Sequence, residues 1–363
     1  MPDGSNIRPL TSLRFFAALW VVLFSYWENL AVDWTPAIVT RGKLGVELFF
    51  VLSGFILSHV YLTSFGERRF RYGSFLWNRL ARVYPLHLAT MFGLIALALA
   101  ATAAGVVVDE HLLSWRSLPA NLLMLQAWGL SPDAAFNHPA WSISAEWFAY
   151  VCFPGFAVVF WSLRNRPWLA AAGALAFLAV LYPLFRSLAG FELTDATIRW
   201  GALRIAPCFA LGCAAYLLWR SGAVRSARSA AVGASLLGAG LVIGASFGAP
   251  SPLMVAGFGG LILCLAGLAQ HGSSFGSQPV FVYLGEISYS TYMICVPWKI
   301  LFVNLATRAL NLDGDRLPLA VWLIFVASIV PLSALSYHLI EKPARERMKL
   351  IAGAWKTRQS VAA

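Results

Sequence analysis

The sequence predicts an all-α integral membrane protein: a single bundle of about ten transmembrane helices with one short re-entrant or interfacial segment and both termini cytoplasmic. Three observations lead there. Of 363 residues, 59% are hydrophobic and only 12% are charged, whereas a soluble globular domain is about 45–50% apolar and about 25% charged. The apolar residues form blocks long enough to cross a bilayer, which takes roughly 20 residues per helix. Basic residues gather in short segments between alternate blocks, the pattern that orients membrane proteins.

Taken in order, the blocks predict spans near 10–31, 44–63, 83–107, 140–163, 168–187, 202–219, 229–248, 252–269, 281–304 and 317–340. The first is followed by Trp27 and Glu28 rather than a small-residue cleavage site, so it is expected to remain as a span. Between blocks lie basic segments at Arg68, Arg69, Arg71, Arg79 and Arg82, at Arg164 and Arg166, and at Arg220, Arg225 and Arg228. The opposite loops carry Glu28 and Asp33, Asp109 and Glu110, Glu192 and Asp195, and Asp313 and Asp315. An even number of spans with both ends inside satisfies this alternation. The apolar stretch 119–130 is too short to cross and, counted as a span, would invert every later loop against its charge.

A net charge of +11 raises nucleic acid as a partner, but the basic residues sit in loops between spans, which argues against it and for membrane lipid. Cys152, Cys208, Cys213, Cys264 and Cys295 all fall in apolar blocks without metal spacing; all but Cys295 read as buried core thiols. Gly240, Gly244 and Gly248 recur every four residues, which predicts a small-residue face for helix packing. Trp27, Trp34, Trp115, Trp168, Trp200 and Trp219 lie near span ends, where indoles favour the interface. With no internal repeat or linker, residues 1–345 read as one transmembrane domain and 346–363 as a basic cytoplasmic tail.

Ionisable residues inside spans are costly and usually functional. Here they are Arg14, Glu47, Glu146, Arg204 and Lys299, with His87 and His338 toward span ends. Snorkelling to the headgroups suits Lys299 as well as function does, and suits the short glutamates poorly. Arg14 and Ser25 are eleven residues apart, within about 20° of three helical turns, so both point to one face about 16 Å apart in depth.

Six segments together resemble the acyltransferase 3 family. Arg14-Phe-Phe-Ala-Ala-Leu-Trp-Val-Val-Leu-Phe-Ser25 is similar to its opening motif, an arginine and a histidine separated by ten residues. Gly45-Val-Glu-Leu-Phe-Phe-Val-Leu-Ser-Gly-Phe55 resembles its second-helix motif, and Asn78-Arg-Leu-Ala-Arg-Val-Tyr-Pro85 its R-x-x-R segment. Trp141-Ser-Ile-Ser-Ala-Glu146-Trp, Ile287-Ser-Tyr-Ser-Thr-Tyr-Met293 and Ile340-Glu-Lys-Pro-Ala-Arg345 follow in family order over nearly the whole chain. The resemblance implies a ten-helix enzyme of the bacterial inner membrane. Such an enzyme moves an acyl group, usually acetyl, from acetyl-coenzyme A to a hydroxyl of a glycan or lipid-linked sugar.

It also implies site residues. Arg79 and Arg82 are expected to hold coenzyme phosphates, since arginine forks match phosphate oxygens, and the pantetheine arm is expected to pass Arg14. Arg14 is the candidate for polarising the donor or stabilising an oxyanion. Glu146 or Glu47 would orient the base or hold the acceptor. Tyr84, Trp141, Ser142 and Arg204 are further candidates. Two departures stand out: the family's first histidine, its proposed general base, is Ser25 here, and a second is replaced by Cys295. A serine hydroxyl does not take up a proton near neutrality as imidazole does. A nucleophilic role for Ser25 or Cys295 would need an adjacent activating base, and none is visible. Two other readings follow: a silent member that binds coenzyme or glycan without turnover, and a glycan or lipid transporter, although the inverted repeats common in transporters are not detectable.

Overall fold

The computed structural model describes residues 7–361 apart from Val106, Val107, Asp109 and Asp313. The loop acids Asp109 and Asp313, and the side chains of Glu110, Lys356 and Arg358, lie outside the described residues. Nine helices among them are long and apolar enough to cross a membrane, and a bent pair supplies a tenth. We number the principal helices α1 (Arg8–Tyr26), α2 (Gly45–Leu57), α3 (Tyr72–Ala103), α4 (Leu118–Leu122), α5 (Ala140–Val151), α6 (Phe153–Ser162), α7 (Pro167–Ala189), α8 (Gly201–Arg220), α9 (Ala227–Ser246), α10 (Ser251–Gln270), α11 (Pro279–Glu286), α12 (Ser288–Leu310), α13 (Leu319–Ser336) and α14 (Lys342–Val361). The bent pair is α5 and α6, which meet at 55° across Cys152. Pro154 explains the break: without an N–H and with a ring in the way, it cannot continue the ladder of the preceding helix.

Span boundaries differ from expectation at several helices: the second span begins at Ala37 rather than 44, and the ninth, expected at 281–304, is Ser288–Leu310, preceded by the separate α11. The third helix begins at Tyr72, eleven residues before the expected 83, so Arg79 and Arg82 lie two to three turns from its start; its 32 residues make it about 48 Å long, more than the roughly 30 Å hydrocarbon core needs. Hydropathy marks the first uninterrupted apolar run, whereas the helix itself starts earlier, on the segment that carries the arginines. The last span runs on through a π-helical turn, Tyr337–Glu341, into α14. The expected boundary at 345 therefore falls inside a helix.

The segment 119–130 does not cross. Only Leu118–Leu122 is helical, followed by a single 3-10 turn at Gln126–Trp128. It nonetheless reaches into the bundle. The Tyr84 hydroxyl donates to Leu122 O at 3.0 Å, and His87 Nε2 lies 2.8 Å from Asn121 O. Both partners stand more than three turns inside α3. Ser144 Oγ on α5 closes the other side, donating to Met124 O and accepting from Ala127 N. The segment thus satisfies its exposed backbone groups on two spans, as non-helical backbone at membrane depth must.

Of the expected glycine face only Gly244 packs closely, where a Cβ would lie 3.0 Å from the Met254 sulfur on α10. A Cβ on Gly240 would meet nothing within 4 Å, and Gly248 has φ +74, a turn glycine past the end of α9. The intimate crossing is elsewhere, between α2 and α8, where Gly54 packs on Phe209 O and Gly212 on Val51 O. Small residues let these backbones touch. As a result α8 is the central helix, with 83% of its apolar window buried, against 17% for α9. All five cysteines are free; of the four expected as core thiols Cys208 and Cys213 are buried, whereas Cys152 at the span break and Cys264 at the α9 contact are only half-buried, and Cys295 is buried as well.

Candidate functional site

Arg14 faces the bundle interior. It lies within electrostatic reach of Arg82 on α3, Glu146 and Tyr150 on α5, and Glu341 on the turn before α14. The cluster is built from four segments far apart in sequence. Ser53 on α2 hydrogen-bonds the Glu146 carboxylate, and Tyr150 reaches the same group from the next turn of α5. Glu341, 3% exposed, accepts from Ser290 Oγ at 2.8 Å and lies 3.9 Å from Arg345. Arg79 spreads over the rings of Tyr61 and Tyr150 at 5.8 and 5.9 Å.

Charge within this cluster is unbalanced. Arg14, Arg79 and Arg82 are all half-buried. None of the three makes an ion pair within 4.0 Å to a described residue, and Arg79 Nε is buried without a hydrogen-bond partner. A buried donor left unmade is expensive, and three guanidinium groups gathered among apolar helices attract an anion. Arg345 and the exposed Lys349 add positive charge from α14. The donor set therefore fits phosphate or a phosphate-bearing carrier. The sequence reading found Arg14, Arg79, Arg82 and Glu146 but missed Ser53, Tyr150, Ser290, Glu341 and Arg345. Glu341 and Arg345 were visible in the closing motif; the others became partners only on folding.

Glu47 and Arg204 belong to a second, separate cluster. Glu47 is fully buried and Arg204 is 2% exposed; Nε donates to Oε1 at 2.5 Å and Nη1 to Ala196 O at 2.8 Å. The guanidinium stacks 4.5 Å from the centre of the Trp141 ring. The α2–α8 crossing sets this geometry, because it brings position 47 against position 204. Ser142 donates to Pro139 O and to the Tyr292 hydroxyl, tying α5 to α12.

Position 25 is one helix end away from Arg14. The Ser25 backbone carbonyl accepts from Lys299 Nζ at 3.0 Å, and Lys299 also pairs with Glu28. Lys299 is thus partnered by protein rather than reaching for headgroups. The Ser25 side chain is half-buried and has no hydrogen bond to a described residue. Cys295 is 1% exposed; its thiol donates to Tyr292 O and its carbonyl accepts from the Tyr26 hydroxyl at 2.8 Å. Two surface recesses open away from these groups. One, about 500 Å³, is lined by Ser131, Asp195, Thr197, Arg199 and Trp200 among others; the second, about 310 Å³, includes Arg8, His59 and Gln270. Neither is lined by Arg14 or Ser25.

Comparison with known proteins supplies the family. The acyltransferase 3 model, described as an acyltransferase domain, matches residues 9–338. The chain is 31% identical over 333 residues to acyltransferase MdmB of Streptomyces mycarofaciens, covering 81% of this chain and 79% of that protein. It is 26% identical over 370 aligned positions to the putative peptidoglycan O-acetyltransferase YrhL of Bacillus subtilis, covering 93% of this chain and 55% of that one. A shorter match, 38% over 82 residues, relates 23% of this chain to 40% of protein 2 in the picA locus of Rhizobium radiobacter. No solved structure matches. With a polytopic helical bundle, an interior arginine–carboxylate cluster and a family match over nearly its whole length, the chain belongs to the acyltransferase 3 family of membrane O-acyltransferases.

Proposed function

We propose that this chain transfers an acetyl group from acetyl-coenzyme A to a hydroxyl of a glycan or lipid-linked sugar across a bacterial inner membrane. In this reading the bundle end carrying Arg79 and Arg82 faces the cytoplasm. The observation that carries it is the Arg14–Arg79–Arg82 cluster, in excess over its nearby carboxylates, with Arg79 Nε lacking a partner among the described residues. Coenzyme phosphates would dock on Arg79 and Arg82, with Arg345 and Lys349 beside them, and Arg14 would meet the arm one to two turns deeper. Arg14, facing inward, would stabilise negative charge developing on the thioester oxygen. Glu146, held by Ser53, keeps Arg14 oriented. The acceptor would approach from the opposite end, where the recess at Ser131, Asp195 and Trp200 offers hydroxyl, carboxylate and indole surfaces suited to a sugar. The name of the Bacillus relative supports a glycan acceptor.

Isothermal titration of acetyl-coenzyme A into the full chain in nanodiscs tests the donor. Arg79→Ala and Arg82→Ala are each expected to weaken binding by about 10- to 100-fold, from the loss of charge-assisted hydrogen bonds. Arg164→Ala is expected to leave it unchanged, because that side chain lies over Trp161 at the surface. Equal affinity in all three would remove the phosphate cradle. A second reading, coenzyme binding without turnover, rests on Ser25 and predicts intact binding with no acetyl transferred to any glycan.

A further inference from the structure

Acyl transfer from an alcohol at neutral pH needs a group that takes up the hydroxyl proton, and imidazole suits the task. The histidines whose side chains are described differ sharply in availability. His87 is buried against Asn121 O, His271 meets Val224 O, and His338 lies 3.1 Å from the Tyr283 hydroxyl. His59 sits edge-on between Tyr216 and Trp219, at the bundle end where α1 begins. His138 alone among them has an exposed side chain with no hydrogen-bond partner among the described residues, and it belongs to the opposite end.

Its backbone is fixed from both sides. Asn137, 2% exposed, donates to Met293 O at 2.9 Å and to Thr90 Oγ1 at 3.1 Å. Pro139 O accepts from the Tyr292 hydroxyl at 3.0 Å and from Ser142 Oγ at 3.1 Å. Just before them, Phe136 is buried with φ +57, a conformation that costs a bulky residue about 1–3 kcal/mol and persists only where packing imposes it. Helix α12 then links this loop to position 25: Met293 holds Asn137, Cys295 O holds Tyr26, and Lys299 holds the Ser25 carbonyl. Those attachment points span about 9 Å of helix axis. The loop and the end of α1 hang from the same two turns.

We propose that His138 is the general base of this chain, acting on the acceptor hydroxyl beside position 25, where the serine has no basicity to offer. The assignment rests on the acyl-transfer reading above. The acceptor O–H gives its proton to a ring nitrogen of His138 as its oxygen attacks the thioester carbonyl. The C–S bond breaks, and coenzyme A leaves as a thiolate that recovers the proton from the imidazolium. An ester and a free thiol result.

The test follows thiol release from acetyl-coenzyme A by the full chain in nanodiscs, with water and with N-acetylglucosamine oligosaccharides as acceptors. His138→Ala and His138→Gln are expected to lower turnover by about 10²–10⁴-fold while acetyl-coenzyme A affinity, read by calorimetry, stays unchanged. Added imidazole, or Ser25→His in the His138→Ala background, is expected to restore part of the rate. His271→Ala is the control that keeps it. A His138→Ala protein that turns over at the parent rate overturns this assignment and leaves the acyl-transfer reading standing. A parent chain that binds acetyl-coenzyme A yet releases no thiol overturns His138 in favour of a silent member. A parent that does not bind it at all removes both.

Discussion

Arg204→Ala is expected to cost about 3–5 kcal/mol of stability, because it strands a buried carboxylate. Glu47 is fully buried; among the described residues its Oε1 accepts only from Arg204, and its Oε2 has no partner. Remove the guanidinium, and the glutamate must either stay charged in an apolar bundle or take up a proton. The lost arginine also vacates the face of Trp141 and frees Ala196 O. Arg204→Lys is expected to rescue little, since an ammonium reproduces neither the fork nor the stacking. The paired change Glu47→Gln with Arg204→Met is expected to recover most of the loss, because neutral groups of similar volume leave no stranded charge. Reversible unfolding in mixed micelles, read by tryptophan fluorescence, reports the difference. If the double variant is no more stable than Arg204→Ala, charge is not what the pair balances.

A side chain on Gly212 or Gly54 is expected to be more damaging still. A Cβ at Gly212 would lie 2.0 Å from Val51 O, and one at Gly54 2.1 Å from Phe209 O. In both cases the obstacle is backbone rather than a flexible side chain, so two helices must separate. Overpacking of a core commonly costs about 1–3 kcal/mol and occasionally more. Gly212→Leu, larger again, is expected to abolish folded protein, and Gly212→Ala to lower its yield and melting temperature. Function should suffer along with stability: α2 carries both Glu47 and Ser53, the latter bonded to Glu146. A widened crossing therefore disturbs the Arg14 cluster as well. Gly240→Ala, where nothing lies within 4 Å, is the contrast and is expected to be neutral or slightly stabilising, as alanine suits a helix better than glycine. Equal melting temperatures for Gly212→Ala and Gly240→Ala would mean that the helices do not meet there.

Much of the candidate site was legible before folding. Arg14, Arg79, Arg82 and Glu146 stand out because charge is rare in apolar sequence, and the structure gathers all four into one region. Their companions were not legible. Ser53, Tyr150 and Ser290 are residue types that apolar spans tolerate anywhere, and nothing local separates them from ordinary packing residues. His138 is obscured for a related reason: a histidine before a helix is unremarkable until Asn137 and Pro139 are seen fixed to a helix more than 150 positions away. Glu47 and Arg204 were both noticed, but their mutual engagement across 157 residues was not.

By itself the sequence determined the class, the number of spans and the non-crossing segment at 119–130. Each depends on hydrophobic length against bilayer thickness and on which loops carry positive charge, and both are one-dimensional properties. Only the tertiary structure decided which glycines let helices touch, that the helix carrying Arg79 and Arg82 starts before them, and which charges share a cluster. Those outcomes depend on how helices rotate and cross, a matter of close packing and pairwise electrostatics between residues distant along the chain. Linear hydropathy averages that information away.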